Sequence, residues 1–243
     1  MANKQKNQEA IRQEQQAENR ISKTEEFYNR YKNVIWGALC AVLVIWLGTM
    51  AYHKFIYQPK CEEAQEQAFI ADKEFEKASA GVAGQPVDSL TAVTAYTAAL
   101  RGDADGNVMG YAEIIDEYGA KAGKDVYLKA GICAFGLGEY EEAITYLKGY
   151  DSGDVIMQGR ALNLTGDCYV NLGQYQKAVE AFAKSAAVAD NIYAAEALVK
   201  EGLAYEALGD KAAALKCYKD AKYRYPDSLY GPEIDNYIAA VEE

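Results

Sequence analysis

The sequence predicts an all-α chain, with one apolar helix near the N-terminus followed by a solenoid of helical hairpins. Three observations carry this. Val34–Tyr52, VIWGALCAVLVIWLGTMAY, is an uncharged run of 19 residues. A hairpin pattern recurs three times between residues 124 and 228, with turn glycines 138, 173 and 209 spaced 35 and 36 residues apart. Nothing in the repeating region suggests a strand.

Residues 1–33 form a polar tail rich in Gln, Glu and Asn. So few apolar residues predict a disordered segment or a fraying surface helix. It would act as a cytoplasmic docking peptide or simply as a topology signal. Residues 34–57 are the expected transmembrane helix and its interface. As a helix the uncharged run spans roughly 28 Å, close to a bilayer core. Tyr28, Tyr31 and Trp36 lie toward one end and Tyr52, Phe55 and Tyr57 toward the other, as at two membrane interfaces.

The run is longer than a secretory signal core and follows 33 polar residues, so an uncleaved anchor is expected despite the small-residue site near Thr49–Ala51. Arg20, Lys23, Arg30 and Lys32 precede it and only Lys54 and Lys60 follow closely. The N-terminus is therefore predicted to be cytoplasmic and the repeats to face the other side, the periplasm of a diderm bacterium.

Residues 58–123 read as a degenerate first repeat with an insertion at 79–106. Its second helix would be Asn107–Tyr118, and its first Cys61–Ala78, with Ala64, Ala68, Ala71 and Phe75 on one stripe. A short helix is expected around Leu90–Leu100. Residues 124–228 hold the three regular copies. In the segment NLTGDCYVNLGQYQKAVEAF, Gly173 ends one helix in the left-handed conformation and Gly166 lies mid-helix, at a cost of about 1 kcal/mol. Close packing of a second helix against the missing side chain is the expected compensation. Gly131, Gly166 and Gly202 thus pair with Ala143, Ala178 and Ala214 as repeat-packing positions, and Leu147, Phe182 and Tyr218 follow four residues later. Residues 229–243 would cap the solenoid, with Pro232 at the first helical position.

Charge narrows the function. Of the net −11, residues 1–33 carry +2 and residues 53–243 carry −13. Such an acidic domain repels phosphate backbones, which argues against nucleic-acid binding. The single histidine, His53, sits at the membrane boundary and is expected to anchor there. No GxSxG, Walker, HExxH or dinucleotide motif is present, so no catalytic residue, metal, cofactor or small-molecule substrate is assigned. Cys133 and Cys168 occupy equivalent positions in successive copies, about 8–10 Å apart by helix packing, too far for a disulfide. Cys40, Cys61 and Cys217 have no evident partner, and unpaired cysteines are expected.

Over residues 124–226 the pattern resembles the tetratricopeptide repeat (TPR). The small residue in the first helix, Tyr169 and Tyr205 three residues on, the alanine of the second helix and Pro226 all match. Ala134 replaces the aromatic in the first copy, and the large residue near the start of the first helix is Tyr127, Leu162 or Leu198 rather than tryptophan. The resemblance implies a concave groove lined by the first helix of each copy: Leu128, Lys129, Ile132 and Phe135; Asn163, Leu164, Asp167 and Val170; Val199, Lys200, Leu203 and Glu206. The basic and asparagine set that clamps a C-terminal carboxylate is absent. In layout, residues 20–243 are similar to the YfgM-type family of bacterial inner-membrane proteins, with YAEIIDEYGAKAGKDVYLKAGICAFGLGEYEEAITYL matching in motif order. That resemblance implies association with a SecYEG-type translocon and a PpiD-like folding factor or exported polypeptides. The alternative is a scaffold for one folded partner in another envelope or secretion complex.

Overall fold

Helices account for nearly all of the regular structure, and no strand occurs among the described residues, which in this computed structural model are 2–79, 89–188 and 192–242. The first part of the expected insertion, 80–88, and the 189–191 junction lie outside them. Two compact units divide the chain, Met1–Pro59 and Lys60–Glu243.

The first unit is dominated by α1 (Ala2–Tyr52), so the polar tail continues the helix of the apolar run. The apolar run contains no buried residue and its most apolar 18-residue window has a mean hydropathy of 2.2, long and apolar enough to cross a membrane. A π-helical turn, His53–Tyr57, follows, and its His53 and Tyr57 rings stack at 5.2 Å.

The second unit opens within α2 (Gln58–Ser79), which precedes α3 (Ser89–Arg101), α4 (Tyr111–Tyr118) and a 3-10 turn, Gly119–Ala122. Three hairpins come next: α5 (Lys124–Gly136) with α6 (Tyr140–Gly149), α7 (Val155–Asn171) with α8 (Tyr175–Val188), and α9 (Ile192–Ala207) with α10 (Lys211–Arg224). The last helix, α11 (Ile234–Glu242), packs on α10. It begins two residues after Pro232, which lies in the preceding turn rather than at the first helical position; Glu233 and Ile234 donate their N–H groups to the Tyr230 carbonyl.

The three turns are built alike. Gly138, Gly173 and Gly209 have φ of +79°, +69° and +79°. The next residue in each closes the helix by donating to the carbonyl five residues back: Glu139 to Ala134 at 2.8 Å, Gln174 to Tyr169 at 2.8 Å, Asp210 to Tyr205 at 2.9 Å. Gly131, Gly166 and Gly202 are each occupied in space by the large residue of the partner helix, so that an added Cβ would collide with Leu147, Phe182 and Tyr218 respectively. The mid-helix glycines are compensated as their sequence context predicts.

The degenerate copy differs from expectation. Gly102 also takes a left-handed conformation, φ +85°, and stands 36 residues before Gly138. The helix it ends is α3, which packs on α4 and α5, and Tyr96 of α3 covers Gly136 of α5. Ala95 is buried seven residues before this turn, where the regular copies carry Gly131, Gly166 and Gly202. The first-helix place therefore belongs to α3 and not to Cys61–Ala78. The true interruption is the loop 103–110, where the Asp103 carboxylate accepts from the Asn107 and Val108 N–H groups at 2.7 and 3.0 Å and delays the helix expected from Asn107 until Tyr111. Helix α2 is an additional element: Ala64 and Ala71 are fully buried, and Asp72 accepts from Tyr111 Oη and pairs with Lys129 Nζ at 2.7 Å.

Buried apolar side chains form two clusters, Ala64 to Cys168 and Ala178 to Val241, and Tyr169 packs against both.

Candidate protein-binding face

The face assigned to binding is built by α5, α7 and α9, whose residues recur at the repeat spacing. Four positions per helix are predicted to line it, and the structure separates them by rotation around the helix. Leu128, Asn163 and Val199 are buried, with 5%, 4% and 1% exposure, and are corrected from groove to core. Each precedes the packing glycine of its copy by three residues, which puts it on the glycine's face toward the partner helix. The other nine remain half-buried or exposed.

Several of those nine are committed to internal partners. Lys129 is held by Asp72, so α2 covers this face at the first copy. Phe135 meets Tyr140 edge to face at 5.7 Å, and Glu206 accepts from the buried Tyr218 hydroxyl. Asp167 and Lys200 are brought together at 2.7 Å, and Glu196, one turn earlier on α9, lies 2.7 Å from the same ammonium. Burial alone would lower the Lys200 pKa, but two carboxylates around it outweigh that and hold it above its ordinary value. Asp167 is also raised, by burial first and by Glu196, against the pull of Lys200. The second carboxylate, Glu196, adds to both rises, with burial the larger cause at Asp167.

Ile132 and Leu164 are half-buried against the first apolar cluster. Val170 and Leu203 stay open to solvent at 37% and 44% exposure. The second and third copies therefore present the unoccupied part of the face. Cys133, Cys168 and Cys217 are buried and unpaired, and burial pushes each thiol up to about 12. They stay protonated and poorly nucleophilic at neutral pH.

Beside the charged cluster, a cavity of about 860 Å³ opens between the first turn of α9 and the 225–230 turn. Tyr193, Glu196, Tyr225, Asp227 and Tyr230 line it. Burial raises the Tyr230 pKa, and the nearby Glu196 adds to the rise. Sequence reasoning missed this site. Glu196 was within reach of it, as the residue four before Lys200 on one helix. The aromatic lining depends on how the chain turns back after α10, which no repeat pattern encodes.

Comparison with known proteins agrees with the hairpin geometry. Residues 125–150 and 196–228 match one tetratricopeptide repeat model and residues 159–191 another. Among solved structures the chain is similar to "Crystal structure of MamA protein", with a TM-score of 0.46, 18% identity, and coverage of 74% of this chain and 87% of that one. It is also similar to "Crystal structure of MamA", with a TM-score of 0.40, 21% identity, and coverage of 64% and 87%. No curated protein matches the chain in sequence. The three regular hairpins, with their left-handed turn glycines and glycine-seated large side chains, are tetratricopeptide repeats.

Proposed function

We propose that the protein is a membrane-tethered, non-enzymatic protein-binding module. The observation that carries this is the unoccupied inner face of the second and third copies, where Val170 and Leu203 remain exposed beside the ion-paired Asp167–Lys200–Glu196 cluster. Apolar side chains beside such ion-paired groups suit an extended or partly folded segment, or another protein's helix. An apolar helix with no buried residue in its first unit supplies the tether.

In the finer reading, residues 1–33 stay in the cytoplasm, 34–57 cross the bacterial inner membrane, and the repeats lie in the periplasm. There the protein serves as an accessory subunit of a SecYEG-type translocon with chaperone character, meeting emerging chains or a PpiD-like folding factor. The layout and the Lys/Arg bias around the span support it. A second reading, a scaffold for one fixed folded partner, is favoured by the internal commitment of Lys129, Lys200 and Glu206, which makes the face rigid rather than adaptable.

Mild-detergent purification from native membranes, with photo-cross-linkers at Leu164 and Leu203, separates the two. A SecY-type channel together with cross-links to several exported chains supports the translocon reading. One stoichiometric partner with the channel absent supports the scaffold. No cross-linked protein at either position refutes the binding module itself.

A further inference from the structure

We infer that the cavity between α9 and the 225–230 turn receives a basic side chain, arginine above all, from an extended segment of the partner protein. This deepens the binding-module reading and rests on it. Three features select the occupant. The first is shape: about 860 Å³ is far larger than one side chain needs, and a pocket of this size opening beside Leu203's helix can take a residue together with its flanking backbone. The second is chemistry. Tyr193, Tyr225 and Tyr230 line the cavity, and tyrosine rings attract guanidinium and ammonium groups through their π faces. The protein's own Arg224 already illustrates the fit, with its guanidinium 5.0 Å from the Tyr225 ring centre and donating to the Tyr225 hydroxyl at 2.8 Å.

The third feature is charge. Glu196 and Asp227 line the cavity and Asp167 lies behind Glu196, against Lys200 and Arg224, which leaves one negative charge in excess. Residues 53–243 carry −13 in all, so the approach of a basic segment is favoured at long range and that of an acidic one opposed. Leu229, 96% exposed at the rim, offers an apolar contact to a neighbouring residue of the same segment. Because α2 already covers the face at the first copy through Asp72 and Lys129, the segment runs over the second and third copies and ends in this cavity.

The test uses the full-length protein in nonionic detergent micelles with a photo-cross-linking amino acid at Leu229. The probes are biotinylated ten-residue Gly/Ser/Leu peptides that differ only in a central Arg, Lys, Gln or Glu. The expected cross-link yield is highest for Arg, close behind for Lys, about tenfold lower for Gln and lowest for Glu, with the difference shrinking as salt is raised. Asp227→Asn, on an exposed turn, should cut the Arg yield severalfold, and Asp227→Arg should reverse the order of the Arg and Glu peptides. Equal yields for Arg, Gln and Glu, which is the behaviour of a charge-indifferent apolar pocket, would overturn the inference, as would an unchanged order in Asp227→Arg. If charge preference is absent while Leu203 still cross-links protein in native membranes, the binding module stands and only this inference falls. Silence at both positions removes both.

Discussion

The ring of Phe182 occupies the space that a side chain on Gly166 would fill. Phe182 is fully buried and cannot swing away, so Gly166→Ala forces two groups into one volume. Overpacking of this kind costs about 1–3 kcal/mol, offset by about 1 kcal/mol of gained helix propensity. The net loss of up to about 2 kcal/mol should lower the apparent Tm by up to about 8 °C. Thermal unfolding of single and double variants checks the cause: Gly166→Ala with Phe182→Leu should be more stable than the two single losses added together.

Asn163 gives the opposite sign. Its Oδ1 is buried with no hydrogen-bond partner, the one such side-chain atom among the described residues, while the equivalent positions hold Leu128 and Val199. Replacing a buried amide whose oxygen lacks a partner by an aliphatic group of similar shape removes a desolvation penalty. Asn163→Leu is expected to raise stability by about 1 kcal/mol in urea unfolding. It should leave partner cross-linking at Leu203 unchanged, because the residue belongs to the core and not to the face.

These two residues show how far the sequence could be read. Turn glycines and glycine-to-large-residue pairs were legible because each has a local cause that repeats: a positive φ, or a missing Cβ under a ring. The helix expected around Leu90–Leu100 is present as α3, but its place as the first helix of the degenerate copy was not legible, because the Asp103-centred loop pushes α4 seven residues away from the spacing that the regular copies keep, and the stripe of alanines in α2 then competes for the same place. Which side of each first helix stays out of the core was legible to within one step around the helix. A helical residue turns about 100° from its neighbour, so Leu128 and Lys129 adjoin in sequence yet one is core and the other faces Asp72.

Asp72 ties α2 to both α4 and α5 through Tyr111 and Lys129. Asp72→Ala leaves the Tyr111 hydroxyl and a half-buried ammonium without their acceptor, a loss of about 1–3 kcal/mol. Hydrogen exchange by mass spectrometry should show faster exchange in α2 and the first turn of α4. Exchange in α8 and α10 should stay as in the parent protein.

Acid should loosen the junction between α3 and α6. Arg101 lies 2.7 Å from Glu139 and 2.6 Å from Glu142. Burial acts to raise the Glu142 pKa, but Arg101 and the Tyr146 hydroxyl outweigh it and hold the carboxyl below its ordinary 4.5. A depressed carboxylate contributes stability that is present above the unfolded-state value and is lost as the pH falls through the lower folded-state value. Stability followed from pH 6 to pH 3 should therefore decline, and Arg101→Met should make that decline shallower.

The divided core has a mechanical meaning. Tyr169 packs against both apolar clusters, and the boundary between them falls inside the α7/α8 hairpin, where the two helices pack extensively, Phe182 seats on Gly166 and Ser185 Oγ donates to the Gly159 carbonyl at 2.8 Å. A boundary placed inside so closely packed a hairpin couples the two clusters rather than separating them. Load applied at one end of the repeats would therefore pass through α7 and α8 to the other, and a ligand lying across the second and third copies would brace the same path.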